Sequence, residues 1–438
     1  MLLLSFPILL PTYILALSWA VWLLPALSLG QGGTAFTATG ALPTLCVWAA
    51  ALYPLPLWAT FVALQRWNEA WSEAASVNGV VPIWNIWLRA RYLTVPVSAA
   101  VLLIWLFMLS DFAVPDYFRV SLYGTETFVE IASYGNVRGA IIASLPCVAA
   151  AFLAMLAIAR LWRRWQLTTD AAERATPTAQ LSTTSAAARN ASAGAVCIAV
   201  GGVLLFVVLP LITLVHTAGE VGLFVALWPA IWPDGLLSAT LSLIVATAVV
   251  LLATVTAYVT QRGVTRSPSI MRAALAATFA IPSALLGLAG IALWNQPGAI
   301  GSVYTSGAAL VLLLVARWLP LAHELQYAGF RSVPPQLEEV AWTSGVPWSQ
   351  STGHIVLRYC REPLLATGLL IFILTFNDLT LAALLAPPGW STLPLRVFST
   401  VHYGSAATLA ATCLWQLLFL LIPLAALAWL ARRAGQQR

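Results

Sequence analysis

Long apolar runs separated by short polar segments dominate the sequence. A run of about 20 apolar residues is long enough to cross a bilayer as a helix. Hydropathy and length predict about ten such spans. They are residues 3–27, 41–63, 96–114, 139–160, 194–215, 236–259, 272–294, 304–322, 363–385 and 408–431. Short segments of alternating polarity, which are typical of a β-barrel, are absent from the sequence. The predicted fold class is therefore all-α, a polytopic transmembrane helical bundle.

The composition agrees with a membrane protein. The chain is 61% hydrophobic and 8% charged, whereas soluble domains carry about 25% charged residues. Its net charge of +6 does not indicate nucleic-acid binding, because the arginines lie in short loops between the spans. If the spans alternate, the Arg-rich segments 66–91, 160–189, 262–272, 331–361 and 432–438 share one side. The positive-inside rule makes that side cytoplasmic, which predicts a multi-pass protein of the bacterial inner membrane with both termini cytoplasmic.

A polar segment divides the chain into two predicted membrane halves. Residues 166–192 are rich in Thr, Ala and Ser and lack apolar periodicity, which is typical of a flexible linker. We therefore predict a first half at 1–165 with about four spans, a cytoplasmic linker at 166–192, and a second half at 193–438 with about six spans. The five cysteines form no CxxC pair, and no metal site is expected.

The two halves resemble each other at a nearly constant offset of about 266 residues. Glu73, Ala75 and Gly79 fall on Glu339, Ala341 and Gly345 at this offset. One residue further on, the segment 110–112 falls on 377–379, so that Asp111 matches Asp378. Several landmarks in the same order indicate an internal repeat. The spans at 194–215 and 236–259 have no counterpart in the first half, which is therefore short by two spans.

The repeated segments are predicted to be helix–turn–helix elements lying along the membrane surface. They read EAASVNG at 73–79 and EVAWTSG at 339–345. In each, a helix-forming stretch meets a glycine that breaks it, and Pro82 or Pro347 suits the first turn of the next helix. One copy alone is explained as an ordinary surface loop. Two copies at matching places on one side favour a rigid handle that a partner protein grips.

These segments resemble the E-A-A-x3-G signature of binding-protein-dependent ABC importer permeases. The two-copy arrangement is similar to the fused permeases of the ferric-iron and thiamine type. The stretches LSDFAVPDYF at 109–118 and NDLTLAALLAPPGWSTLPLRVFSTVHYG at 377–404 are also similar to that group. The resemblance implies a type I ABC importer permease with an internal repeat.

The resemblance also implies what the two loops do. In the family, each loop inserts as a coupling helix into a groove on an ATPase subunit. The positions that match the signature are Glu73, Ala74, Ala75 and Gly79 in the first loop and Glu339, Ala341 and Gly345 in the second. The second loop departs from the signature at Val340, where alanine is expected. The first departs downstream, where 89–92 replaces the family's I-x-L-P.

A function follows from the resemblance. It implies two partner ATPase subunits, expected to be a homodimer, and a periplasmic solute-binding protein that delivers the cargo. Because the sequence contains no G-x4-G-K-[ST] motif, ATP and Mg are expected on the partner, and this chain is expected to hold no cofactor and not to be an enzyme. Ferric iron is the first choice of cargo, with thiamine and phosphonate compounds close behind.

Acidic and amide side chains inside or near the ends of spans are candidates for a translocation pathway. Asp111, Asn377 and Asp378 follow long apolar stretches, and a charge within a bilayer usually faces a cavity or a partner. The equally simple alternative is that the acids cap or kink helix ends. Arg317 is expected to snorkel to the cytoplasmic interface, and Arg396 to be a candidate for docking the binding protein.

Two functions of other classes compete with the ABC permease. A secondary transporter driven by protons or sodium would use Asp111 and Asp378 and would need no ATPase. The paired loops argue against it. A membrane-embedded enzyme would require a cluster of catalytic side chains at one depth, and the sequence shows none.

Overall fold

A computed structural model describes residues 7, 10–28, 36–65, 67, 77, 79, 82–132, 137–175, 201–263, 268–334 and 336–436. Within these residues, every extended regular element is a helix. Seven helical stretches of the described chain are long and apolar enough to cross a membrane, or up to nine if each of two bent helix pairs is one span. The predicted all-α polytopic bundle is confirmed for this part of the chain.

The helices are numbered in chain order. They are α1 (Thr12–Ser28), α2 (Phe36–Leu52), α3 (Pro54–Gln65), α4 (Pro82–Ser110), α5 (Ala113–Tyr117), α6 (Tyr123–Ala132), α7 (Val137–Ala175), α8 (Gly201–Ala218), α9 (Val221–Ala226), α10 (Trp228–Gln261), α11 (Pro268–Phe279), α12 (Ser283–Trp294), α13 (Ala299–Thr305), α14 (Ala308–Arg331), α15 (Gln336–Thr343), α16 (Trp348–Tyr359), α17 (Arg361–Phe376), α18 (Leu379–Leu385), α19 (Leu393–Tyr403) and α20 (Ala406–Gln436). Helices α8 and α16 each contain one π-helical segment.

Seven predicted spans correspond to the seven unbroken candidates, with ends that differ by several residues. These candidates lie at Gly40–Leu64, Trp87–Ser110, Ile142–Leu161, Gly201–Ala218, Trp228–Gln261, Ala308–Arg331 and Ala406–Leu430. The first predicted span, 3–27, corresponds to a shorter apolar helix at Thr12–Leu23 among the described residues. Long apolar runs were therefore a reliable guide to where the membrane helices lie.

Two predicted spans are wrong as single helices. The stretch 272–294 bends by 91° between α11 and α12. Pro282 there has an extended backbone, with φ −57° and ψ 143°, and its ring disfavours a helical residue before it. The predicted span 363–385 corresponds to the bent pair α16 and α17, which meet at 67° and begin earlier, at Trp348. Helix α17 ends at Phe376, and the short α18 follows it.

The described chain forms two compact units. The first comprises Met1–Val120 and Leu145–Ile212, and the second comprises Ser121–Ser144 and Thr213–Arg438. Helix α7 continues to Ala175, into the predicted linker. Residues 176–200 lie outside the described residues. The division of the chain at 166–192 stays a prediction.

In the first unit, α1, α2 and α5 pack together. Leu15 and Val47 are fully buried at 0% exposure, as is Val114 of α5. Helix α5 follows α4 after a two-residue break at Asp111 and Phe112. This packing brings Asp111 against the helices that begin the chain.

In the second unit, α10 is the central helix and packs against α14 and α17. One face of α10 is buried and carries small side chains at spacings of three, four or seven residues. They are Gly235, Ser238, Ser242, Ala246, Ala253 and Ala257. Small residues let neighbouring helices approach closely in a membrane. The other face exposes Leu243, Leu251 and Val255, which suits contact with lipid.

Candidate functional site

The second repeated segment forms the predicted helix–turn–helix. Helix α15 ends at Thr343, and α16 begins at Trp348. Gly345 between them has a φ of +78°, a left-handed conformation that only glycine adopts without a steric cost from Cβ. Pro347 is extended and precedes the first turn of α16. Local turn chemistry thus produces the sharp reversal between the two short helices.

The side chains of this hairpin separate into a buried and an exposed set. Ala341 is 7% exposed, whereas Glu339 is exposed. Large apolar side chains also face outward, because Val340 is 63% and Trp348 58% exposed. Val340, which departs from the family signature, therefore lies on the outer surface. An apolar surface of this kind is suited to contact with a partner.

Most of the first repeated segment cannot be compared with the second. Glu73, Ala74 and Ala75 lie outside the described residues. Gly79 is described and has a φ of +72°, close to the value at Gly345. Among the described residues, neither glycine has a heavy atom within 4 Å of an added Cβ, apart from its own atoms and those of its chain neighbours. The left-handed backbone is the feature that favours glycine at each position.

A buried polar cluster beneath the second hairpin was missed by sequence reasoning. Glu338 is 2% exposed and forms an ion pair with Arg262, just after the end of α10. Tyr258 of α10 donates a hydrogen bond to Glu338 Oε2 at 2.9 Å. The same Tyr258 hydroxyl accepts a bond from Trp348 Nε1 at 3.2 Å. The cluster joins both helices of the hairpin to one membrane span.

The sequence did contain a signal for Glu338. Residues three apart share a face of a helix, so Glu338 lies on the same face as Ala341. The structure buries Ala341, so the face that it shares with Glu338 is the buried one. The family spacing from Gly345 pointed instead to the neighbouring Glu339.

Asp111 lies in the first unit, immediately after α4. Its Oδ2 accepts a hydrogen bond from Trp48 Nε1 at 2.9 Å, and its Oδ1 accepts one from the Ala113 amide at 3.1 Å. The Thr12 side chain also bonds to this carboxylate. Among the described residues, Asp111 forms no ion pair within 4.0 Å. Its carboxylate is therefore held by neutral donors, and it orders the start of α5.

Asp378 lies in the second unit, where it caps α18. Its Oδ1 accepts a hydrogen bond from the Leu381 amide at 3.0 Å, and its Oδ2 lies 3.4 Å from Nε of Arg317. The two side chains are 4% and 16% exposed. The prediction that Arg317 snorkels to an interface is wrong, since the side chain pairs with a buried acid. Both acids therefore make the capping contacts of the simpler alternative, and a pathway role stays a prediction.

Polar groups surround Asp378. Asn377 Oδ1 accepts a hydrogen bond from Nε2 of the fully buried Gln416 at 3.2 Å. A small cavity beside Asp378 is lined in part by Ser238, Thr375 and Thr392. In the described part of the chain, no group of three or more His, Cys, Asp or Glu side chains is placed to hold a metal ion. The cavity lining combines these hydroxyl groups and one paired carboxylate with apolar side chains such as Leu241, Leu314 and Phe376.

Arg396 pairs within this chain. Its guanidinium contacts the carboxylate of Asp234 near the start of α10, and Ser391 Oγ donates to the same carboxylate at 2.9 Å. Further along α10, Ser238 Oγ accepts a bond from the Leu393 amide at 2.9 Å. The Arg396 guanidinium is therefore engaged in an internal ion pair, and its role in docking a binding protein stays a prediction.

Known proteins resemble part of the chain. Over 161 residues it is 27% identical to a protein of Salmonella typhimurium strain LT2 that is provisionally named a 2-aminoethylphosphonate transport system permease protein, PhnV. The protein of the same name from Salmonella paratyphi A gives the same figures. The matched segment is 36% of this chain, and the chain spans 59% of the length of these curated relatives. No family model matches the sequence.

Proposed function

We propose that this chain is the membrane-spanning permease subunit of an ABC-type importer. The observation that carries the proposal is the helix–turn–helix at 336–359, which presents the pattern Glu339, Ala341 and Gly345 beside a bundle of apolar helices. The similarity to transport permeases supports the same class. The chain provides the path through the bacterial inner membrane, and ATP is hydrolysed on separate partner subunits.

The second hairpin is the proposed docking element for an ATPase subunit. Its exposed apolar side chains Val340, Trp342 and Trp348 form the contact surface. The buried Ala341 side keeps the hairpin fixed to the rest of the unit. We propose the same role for Glu73, Ala74, Ala75 and Gly79 in the first repeated segment, on the basis of the repeat alone. ATP binding would then bring the two elements together and switch the bundle between inward-facing and outward-facing states.

For the cargo we propose a phosphonate compound delivered by a periplasmic binding protein. All three cargoes are suggested by the sequence resemblance, and the name of the Salmonella relatives favours a phosphonate over ferric iron and thiamine. Uptake of labelled 2-aminoethylphosphonate, ferric iron and thiamine in a strain lacking this chain separates the three. Loss of phosphonate uptake alone is the expected result. If only iron uptake or only thiamine uptake is lost, that compound is the cargo and the phosphonate assignment is wrong.

The ABC class itself is tested by purification. A tagged full-length chain isolated from its native host is expected to bring down a P-loop ATPase. Recovery of the intact chain with no ATPase would contradict the proposal and favour the ion-coupled transporter. Asp378 is already paired with Arg317, so such a transporter would depend mainly on Asp111.

A substitution in the hairpin links the test to structure. Gly345→Pro is expected to abolish ATPase recovery, because proline fixes φ near −65° where Gly345 requires +78°. The chain should still insert in the membrane. Gly353→Ala is the matched control, since Gly353 lies in α16 with open space around it and no left-handed backbone. Normal ATPase recovery with Gly345→Pro would contradict the docking role.

A further inference from the structure

Two adjacent acids of α15 have opposite environments. Glu339 is exposed, whereas Glu338 is buried and paired with Arg262, whose side chain is 12% exposed. If the two buried charges separated, each would be left uncompensated in a medium that solvates charge poorly. Glu338 and Arg262 are therefore expected to move together.

Tyr258 ties both arms of the hairpin to α10. Its hydroxyl donates to Glu338 of α15 at 2.9 Å and accepts from Trp348 of α16 at 3.2 Å. The ring of Tyr258 also packs against the fully buried Phe330 at the end of α14. A single side chain of the span thus contacts both helices of the proposed docking element.

The same helix is held at its opposite end by a second ion pair. Asp234 contacts Arg396 and accepts from Ser391, and Ser238 binds the Leu393 amide. From Asp234 to Arg262 a helix rises about 42 Å at 1.5 Å per residue. Helix α10 therefore connects the hairpin to the segment 391–396, with ionic contacts at both ends.

We propose that Glu338, Arg262 and Tyr258 are positioning residues that transmit movement of the hairpin to α10, and through α10 to the Asp234–Arg396 contact. The inference rests on the proposed function, because the movement is supplied by the docked ATPase. In the proposed function, the same movement of α10 accompanies every cycle of the docked ATPase. We therefore expect a change at Arg396 to alter the rate of ATP hydrolysis.

The test uses the full complex purified with its own ATPase from the native host. Arg396→Gln is expected to change the rate of ATP hydrolysis at least threefold, although the site is remote from the hairpin. In a Glu338→Gln or Tyr258→Phe background, Arg396→Gln should have no further effect. Tyr258→Phe removes only one hydroxyl group and keeps the test available if Glu338→Gln fails to accumulate.

The control is an arginine–glutamate ion pair formed between two other helices. Arg272 and Glu324 form such a pair at 2.6 Å, between α11 and α14. In a Glu324→Gln background, the effect of Arg396→Gln should persist in full. If Arg396→Gln changes the rate of ATP hydrolysis by the same factor in the Glu338→Gln background as in the unmodified complex, the inference is overturned. Equal factors mean that the two sites act independently, since independent sites are additive in free energy.

Two other results also overturn the inference. If Arg396→Gln leaves ATP hydrolysis unchanged in the otherwise unmodified complex, α10 transmits nothing from that end. If no ATPase accompanies the chain, the proposed function fails and this inference fails with it. If the ATPase is recovered but the effects of Arg396→Gln and Glu338→Gln are additive, this inference is overturned and the proposed function stands.

Discussion

Asp111 and Asp378 occupy matching positions in the predicted sequence repeat, but their carboxylates have different partners. Asp111 accepts hydrogen bonds from Trp48 and the Ala113 amide, which are neutral donors. Asp378 accepts a bond from the Leu381 amide and lies beside the guanidinium of Arg317. Each acid orders a short helix after a membrane span. Only the second has its charge balanced by a cation among the described residues.

The two acids share one structural role, which is to cap a short helix, but they differ in whether a cation compensates the carboxylate charge. Capping requires only backbone N–H groups near a carboxylate, so both acids satisfy it in the same way. Compensation of the charge depends on which side chain a neighbouring helix supplies. The offset of the repeat places Arg317 near Ala51 of the first half, where no charged group is available. Asp111 is therefore the better candidate for contact with a cation, and Asp378 for a fixed structural pair.

The largest expected effect is that of Asp378→Ala. It leaves the guanidinium of Arg317 buried without its partner, and a guanidinium cannot lose its charge by deprotonation. We expect the free energy of unfolding to fall by about 3–5 kcal/mol, measured by denaturant titration of the detergent-purified chain. The double variant Asp378→Ala/Arg317→Leu should recover most of the loss. Equal losses in the single and double variants would show that charge is not the cause.

A smaller effect is expected for Arg317→Leu. Asp378 then loses its cation, but it keeps the capping bond from Leu381, and a carboxyl group can take up a proton. We expect a loss of about 1–3 kcal/mol in the same titration. The Arg317 guanidinium also lies over the ring of Trp318, 4.9 Å from its centroid. A loss larger than that of Asp378→Ala would reverse the proposed order, and would indicate that this ring contact matters more than the ion pair.

Asp111→Asn should lower the free energy of unfolding by about 1 kcal/mol in the same titration, because the amide keeps only one of the two acceptor oxygens. The matched substitution Asp378→Asn should cost more, since it removes the counter-charge of Arg317. The comparison of these two isosteric variants measures the asymmetry directly. Equal costs would mean that Arg317 contributes little to the stability of the second unit.

The smallest change is expected for Thr12→Val, which keeps the shape of the side chain and removes one hydroxyl bond to Asp111. Since Trp48 and Ala113 still donate to the carboxylate, we expect a loss of about 0.5–1 kcal/mol. In an Asp111→Asn background the loss should shrink. An undiminished loss in that background would show that Thr12 acts independently of Asp111.

Much of the fold was predictable because its signals are local. Seven spans coincide with apolar runs, and the turn at Gly345 lies where glycine and Pro347 punctuate a helical pattern. The bends were missed, although Pro282 marks one of them. Hydropathy alone does not distinguish a straight span from two helices that meet at an angle.

The candidate site was predictable only in outline. The spacing from Gly345 located the hairpin but selected the exposed Glu339 instead of the buried Glu338. The ion pair of Arg317 with Asp378 joins α14 to the start of α18, and that of Asp234 with Arg396 joins residues 162 positions apart. No spacing rule relates such residues along the chain.

The sequence by itself determined the all-α membrane fold class, the places of the apolar helices and the helix–turn–helix of the second loop. These depend on hydrophobicity and backbone preference over a few neighbouring residues. Only the tertiary structure decided which charges are neutralised and which helix receives the hairpin, because both depend on how helices rotate and pack against one another. That packing leaves Asp111 with neutral donors, gives Asp378 a guanidinium, and connects Glu338 to α10.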